Sequence, residues 1–206
     1  MLTLNKIQFI IGFFLLFVTG CKSNTGERTG NRGKPIVILQ PLSFSDVITL
    51  QYLADSIEKF YPVKVSIALS KKFPQQTFYK PRNRYHADST IKWLQQTKPD
   101  SARTIVGITN EDVSVNKGAH KDYGVMGLGY MPGKSCVVST FRLRKTATSN
   151  EHFQQRLFKV VVHEMGHNFR LDHCPNKTCI MVDAEGRMKL DEEKDFCYDC
   201  KRKLRI

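Results

Sequence analysis

"HEMGHNFRLDHC", residues 163–174, gathers three of the six histidines of the chain. His163 and His167 are four residues apart, so on a helix they project from one face and can hold one metal ion together. Glu164 stands beside the first, placed to take a proton from a water activated by the ion rather than to bind the ion. His173 follows His167 by six residues, about 240° further round a helix at about 100° per residue. It reaches the same ion only if the helix stops just past His167 and the chain doubles back. Such a stop wants a residue that tolerates φ > 0. Asn168 can serve at small cost; Arg170 is no such residue.

Upstream of this stretch, Phe153, Leu157, Val160, Val161 and Met165 form the apolar stripe of a helix over residues 151–169. Downstream lie Cys174, Cys179, Cys197 and Cys200, the last two as CxxC in "LDEEKDFCYDCKRKL" (190–204), which reads as a helix. Two such pairs make either a closed four-sulfur zinc site or two disulfides. In that helix Asp191, Glu192 and Glu193 precede the lysines and arginines, an order that suits the helix dipole. Cys136, in a strand pattern, reads as a small buried hydrophobe.

Further outward, "PIVILQPL" (35–42), "VKVSIAL" (63–69) and "RTIVGIT" (103–109) read as strands. Between them, Val47, Leu50, Leu53, Ala54, Ile57 and Phe60 mark a first helix, with Ser43 or Ser45 as its cap, and residues 87–96 a second with Ile91 and Leu94 inward. "GVMGLGYM" (124–131) and "CVVSTFRL" (136–143), joined by "PGKS", read as a hairpin. This order predicts an α/β domain, a mixed twisted β-sheet with packed helices.

The first 20 residues read differently. Lys6 precedes the apolar run "IQFIIGFFLLFVTG" (7–20), shorter than a membrane span but laid out as an export signal. "VTGC" resembles the lipobox of bacterial lipoproteins, which implies lipidation at Cys21. The expected organisation is a lipoprotein signal peptide (1–20), a polar, glycine-containing tether (21–34) and a domain over 35–206, held on a membrane of a bacterial cell envelope. Removing the signal lowers the net charge from +13 to +12. So basic a surface suits an anionic membrane or acidic partners. Nucleic acid, the other common partner of such charge, is at odds with export.

The stretch 163–174, followed by Cys179, Met181, Cys197 and Cys200, resembles the archaemetzincins, metzincin-type zinc metallopeptidases with the pattern HExxHxxGxxHC, then C, a nearby Met and a later CxxC. Motif carries the likeness over the C-terminal third; upstream it rests on element order and on "CVVSTFRL", similar to the family's edge-strand region. The resemblance implies a metzincin-like zincin fold with a small C-terminal zinc-binding subdomain. It implies two Zn2+ per chain: a catalytic one on His163, His167 and His173, and a structural one on Cys174, Cys179, Cys197 and Cys200. Glu164 becomes the general base and Met181 the methionine of the turn beneath the metal. The expected activity is hydrolysis of a peptide or protein substrate, laid along "GVMGLGYM" as an edge strand. Arg170 departs from the pattern, which has glycine there. A non-catalytic zinc-binding lipoprotein on the same scaffold is the alternative, and Glu164 beside an open metal position argues against it.

Overall fold

The computed structural model describes residues 33–184, 189–204 and 206. The readings made for the signal peptide, for Cys21 and for nearly all of the tether lie outside them. In chain order the elements are β1 (Ile36–Pro41), α1 (Val47–Phe60), β2 (Lys64–Ile67), β3 (Phe78–Tyr79), β4 (Arg84–His86), α2 (Ala87–Thr97), β5 (Ala102–Thr109), β6 (Val113–Lys117), β7 (His120–Val125), β8 (Gly127–Gly129), β9 (Ser135–Ser139), α3 (Phe141–Lys145), α4 (Asn150–Asn168) and α5 (Tyr198–Lys203).

The apolar runs expected as strands become the middle of a five-stranded sheet ordered β2-β1-β5-β9-β8. Strands β2, β1, β5 and β9 run parallel, and β8 pairs antiparallel with β9 at one edge. Runs such as Ile105–Ile108 and Ser135–Ser139 are buried throughout because both faces are covered. Alternate side chains go to opposite sides. Val37, Leu39, Val106, Ile108, Cys136 and Val138 meet α1 and α4, whereas Ile105, Val137 and Leu42 meet α2. Each fully buried Leu, Ile or Val contributes about 1.5–3 kcal/mol relative to exposure. The expected sheet with packed helices is thus observed, and Cys136 is a fully buried core residue.

Local readings differ in four places. The cap of α1 is Asp46, whose carboxylate accepts from the Thr49 N–H at 3.0 Å, and Val47 at 70% exposure overshoots the core. The 124–131 stretch divides between the end of β7 and β8. "CVVSTFRL" is strand only to Ser139, after which α3 turns Arg142 onto the Asp112 carboxylate at 3.1 Å. The C-terminal helix is only α5, because bonds from Lys194 N to Thr178 O (2.9 Å) and Ile180 N to Asp195 O (3.1 Å) hold Lys194 and Asp195 against the Cys179 segment. A second, four-stranded sheet, β3-β4-β6-β7, was not foreseen. In its β6–β7 hairpin the apolar alternation is only two residues per strand, Val113 and Val115 facing Tyr123 and Val125, too short a pattern to read against the polar residues around it.

Candidate active site and metal centres

Helix α4 starts at Ser149, whose hydroxyl accepts from the His152 N–H at 3.0 Å, and is pinned midway by the Tyr61 hydroxyl, which donates to Val162 O at 3.0 Å. It ends in a Schellman turn. The Arg170 N–H donates to His167 O at 3.0 Å and the Leu171 N–H to Gly166 O at 2.9 Å. Arg170 holds the left-handed conformation, φ 73°, so the unusual position falls on the arginine and not on Asn168. Asn168 has another task. Fully buried, it accepts from the Thr104 hydroxyl at 2.6 Å and donates to the carbonyls of Tyr130 and Ser135, each at 3.0 Å. The last helical residue is thereby bolted to β5 and to the turn between β8 and β9.

The turn brings the third histidine back. Ligand atoms of His163, His167 and His173 all lie within 4.8 Å of one another, with the Nε2 atoms of the first two 3.1 Å apart. Tetrahedral zinc at about 2.0–2.1 Å from each imidazole needs nitrogen separations of about 3.3–3.4 Å, so the set fits. The other ring nitrogens are engaged: His163 Nδ1 donates to Ile180 O and His167 Nδ1 to Leu171 O, both at 2.7 Å. His173 Nδ1 lies 3.5 Å from the Asp183 carboxylate. Such partners fix the tautomer that leaves Nε2 for a metal. Burial pushes the His163 pKa down to about 4, helped by the neighbouring His167, and burial likewise lowers His167. Both rings are therefore neutral near pH 7, as ligands must be.

Glu164 is 8% exposed. Burial raises its carboxyl to about 8, against the opposing hydrogen bond from the Gly129 N–H of β8. This contact explains the glycines of the edge strand. A Cβ on Gly127 would come within 2.8 Å of the Glu164 side chain, and one on Gly129 within 2.6 Å of its carbonyl oxygen. Below the helix, a Cβ on Gly166 would meet the sulfur of Met181 at 2.5 Å. The glycine between the two helical histidines is what lets this methionine pack directly under them. The histidines and Glu164 open onto a cleft of about 840 Å³ bordered by β8.

The four cysteines converge separately, with ligand atoms within 4.8 Å of one another. Cys174 and Cys197 sulfurs are 3.7 Å apart, as are those of Cys179 and Cys200. These are free thiols, and 3.7 Å matches the edge of about 3.8 Å expected for thiolates about 2.3 Å from one zinc. The Cys197 thiol is pulled down to about 7, chiefly by the Cys200 N–H. The two donor sets meet at consecutive residues, His173 and Cys174. The Cys174 N–H donates to Met181 O at 2.7 Å, which closes the loop between them.

A family model for "Peptidase family M54" matches residues 52–206. The chain belongs to this family. The archaemetzincin of Halobacterium salinarum is 31% identical over 157 residues, 72% of this chain and 87% of that protein. That of Haloquadratum walsbyi is 32% identical over 152 residues, 70% of this chain and 84% of its own length. The crystal structure of Archaeoglobus fulgidus archaemetzincin, a complex with malonate, superposes at TM-score 0.70 with 26% identity, covering 82% of this chain and 99% of that one. The protein is thus a zinc metallopeptidase of the archaemetzincin family, and its mixed α/β fold is theirs. One expectation is corrected. A lipid-anchored place on a bacterial envelope is not upheld: these relatives are archaeal proteins, the Archaeoglobus one solved as a crystal structure, and among the described residues no helix is long and apolar enough to cross a membrane.

The sequence reading missed several residues of the site. Gly166 looks like an ordinary helix residue until its contact with Met181 is seen, and Asn168, weighed only as the turn residue, proves to be a buried anchor for β5 and the β8–β9 turn. The acids at 191–193, read as a helix start, lie outside any helix. Arg156 grips Asp191 with two bonds, at 2.8 and 2.5 Å, while Glu193 is buried. Only the Gly127/Gly129 pair, at alternate positions on an edge strand, carried a signal of close backbone approach.

Proposed function

We propose that residues 35–206 form a peptidase domain that hydrolyses peptide bonds at the three histidines, with Glu164 as general base and a second, structural zinc on the four cysteines. The carrying observation is the convergence of three imidazoles and a buried glutamate on a cleft bordered by the edge strand β8. An extended peptide adds to that edge through its backbone, and Gly127 and Gly129 keep it close to Glu164. His163, His167 and His173 would hold a zinc ion, which would supply positive charge to acidify a water toward about 7 and to polarise a scissile carbonyl. Glu164 takes the proton of the attacking water and gives it to the departing amine. Burial alone raises its carboxyl to about 8, and the charge of a zinc held by the neighbouring histidines would favour the ionised form that accepts the proton. The Gly129 N–H keeps the carboxylate aimed while it changes charge.

Glu164→Gln should keep two zinc atoms by native mass spectrometry while peptide cleavage falls about 10²–10⁴-fold. His167→Ala should lose one zinc. Cleavage by Glu164→Gln at the wild-type rate would remove the general-base assignment. A wild-type chain with two zinc atoms that cleaves no peptide in a library would favour the non-catalytic scaffold.

A further inference from the structure

The cleft extends past the histidines along α4. Its wall there comes from Val160, one turn before His163, together with Thr146, Leu190 and Glu193. Glu193 is 5% exposed, and its Oε2 has no hydrogen-bond partner among the described residues. A buried carboxylate oxygen without a donor is costly, so a fold that keeps one beside a cleft leaves a place for a donor from outside. The segment carrying it is firmly placed. Besides the Arg156 fork, Asp191 bonds His152 Nε2 at 2.8 Å, and Lys159 Nζ donates to Leu190 O at 2.6 Å.

The cations on the cleft wall are already engaged. Arg84 and Arg142 both bind Asp112, at 2.7 and 3.1 Å. Lys145 lies over the Phe141 ring at 3.9 Å and Lys117 over Tyr123 at 4.9 Å. Among the described side chains lining the cleft, Glu193 alone is buried with an oxygen left unpartnered.

We propose that Glu193 selects substrates with a lysine or arginine beside the scissile bond. The proposal rests on the peptidase reading above and names the substrate class of that site. Val160 and His163 are about 4.5 Å apart along the helix axis, within the span of one long side chain. Its aliphatic stem would lie on Val160 and Leu190 and its charged head would meet Glu193. A neutral residue of the same length would leave the acid unpaired, the arrangement that discriminates most strongly between substrates. Burial raises Glu193 to about 7, Lys159 opposing and Asp191 reinforcing, so an arriving cation draws it into the ionised form.

The test uses the zinc-loaded full chain and two readouts. Peptides varied on either side of the scissile bond give kcat/KM ratios, and calorimetry compares arginine amide with norleucine amide and glutamate amide. In the wild type arginine should exceed norleucine about 10-fold in both. Glu193→Gln should bring both ratios near one, and Glu193→Lys should invert the order in favour of glutamate. Equal binding of arginine and norleucine amides, or a preference that survives Glu193→Gln, overturns the proposal. Arginine amide preference that vanishes in Glu193→Gln without cleavage of any peptide upholds the cation site and removes the peptidase reading.

Discussion

Arg170→Gly should make this protein more stable. The residue sits at φ 73° in the turn that returns His173 to the metal site. A side chain in that conformation costs about 1–2 kcal/mol. Glycine restores about 0.4–1 kcal/mol of that to the unfolded chain through its greater freedom. The net gain is about 1 kcal/mol, or about 2–4 °C in Tm for a chain of this size. Arg170→Ala is the control that isolates the cause, since it keeps the Cβ and the strain. It removes only the charge that, after burial, helps lower the pKa of Arg103. Thermal and urea denaturation at one fixed zinc concentration should rank glycine above alanine, with alanine near the wild type and m-values unchanged. Equal stability of the glycine and alanine variants would refute the strain argument. So would a glycine variant no more stable than the wild type.

Gly166→Ala should cost about 1–3 kcal/mol, because its Cβ drives into the Met181 sulfur, and zinc affinity at the histidines should fall with it in a metal-competition titration. Cys200→Ser should lower zinc content by one atom and Tm with it, whereas non-reducing mass analysis of the denatured wild type should find no disulfide. Glu193 gives a pH signature. Its folded pKa of about 7 lies above an unfolded value near 4.5, so the folded state binds the extra proton and stability declines as pH rises between the two. Urea midpoints of Glu193→Gln should lack this decline, leaving it more stable than the wild type at pH 8 by on the order of 1 kcal/mol and about equal at pH 4. A constant difference across that range would show that Glu193 does not titrate as described.

How much of this was legible follows from the range of the interactions. The i, i+4 histidines, the Gly-bearing hairpin and the apolar central strands are local patterns, and the chain realises them. The need for a left-handed residue after His167 was also legible, and the choice between Asn168 and Arg170 was not. It was decided by Thr104, Tyr130 and Ser135, which claim the asparagine from far along the chain. The C-terminal helix was overread because its charge order suits a helix, while residues 190–192 form a turn and Lys194 and Asp195 pair with Thr178 and Ile180. Glu193 looked like one acid among several for the same reason. Its role depends on Arg156, Lys159 and Leu190, and no spacing within 190–204 reports them.

The adjacency of His173 and Cys174 has a thermodynamic consequence. A single peptide bond joins the two donor sets, and Met181 O holds the far end of the loop on Cys174. Ordering either set therefore removes freedom from the other. Whatever free energy a metal among the sulfurs lends to binding at the histidines must be returned in equal amount in the opposite direction. Metals held at both sets would behave as one linked system, and an affinity measured at either would have meaning only with the occupancy of the other stated.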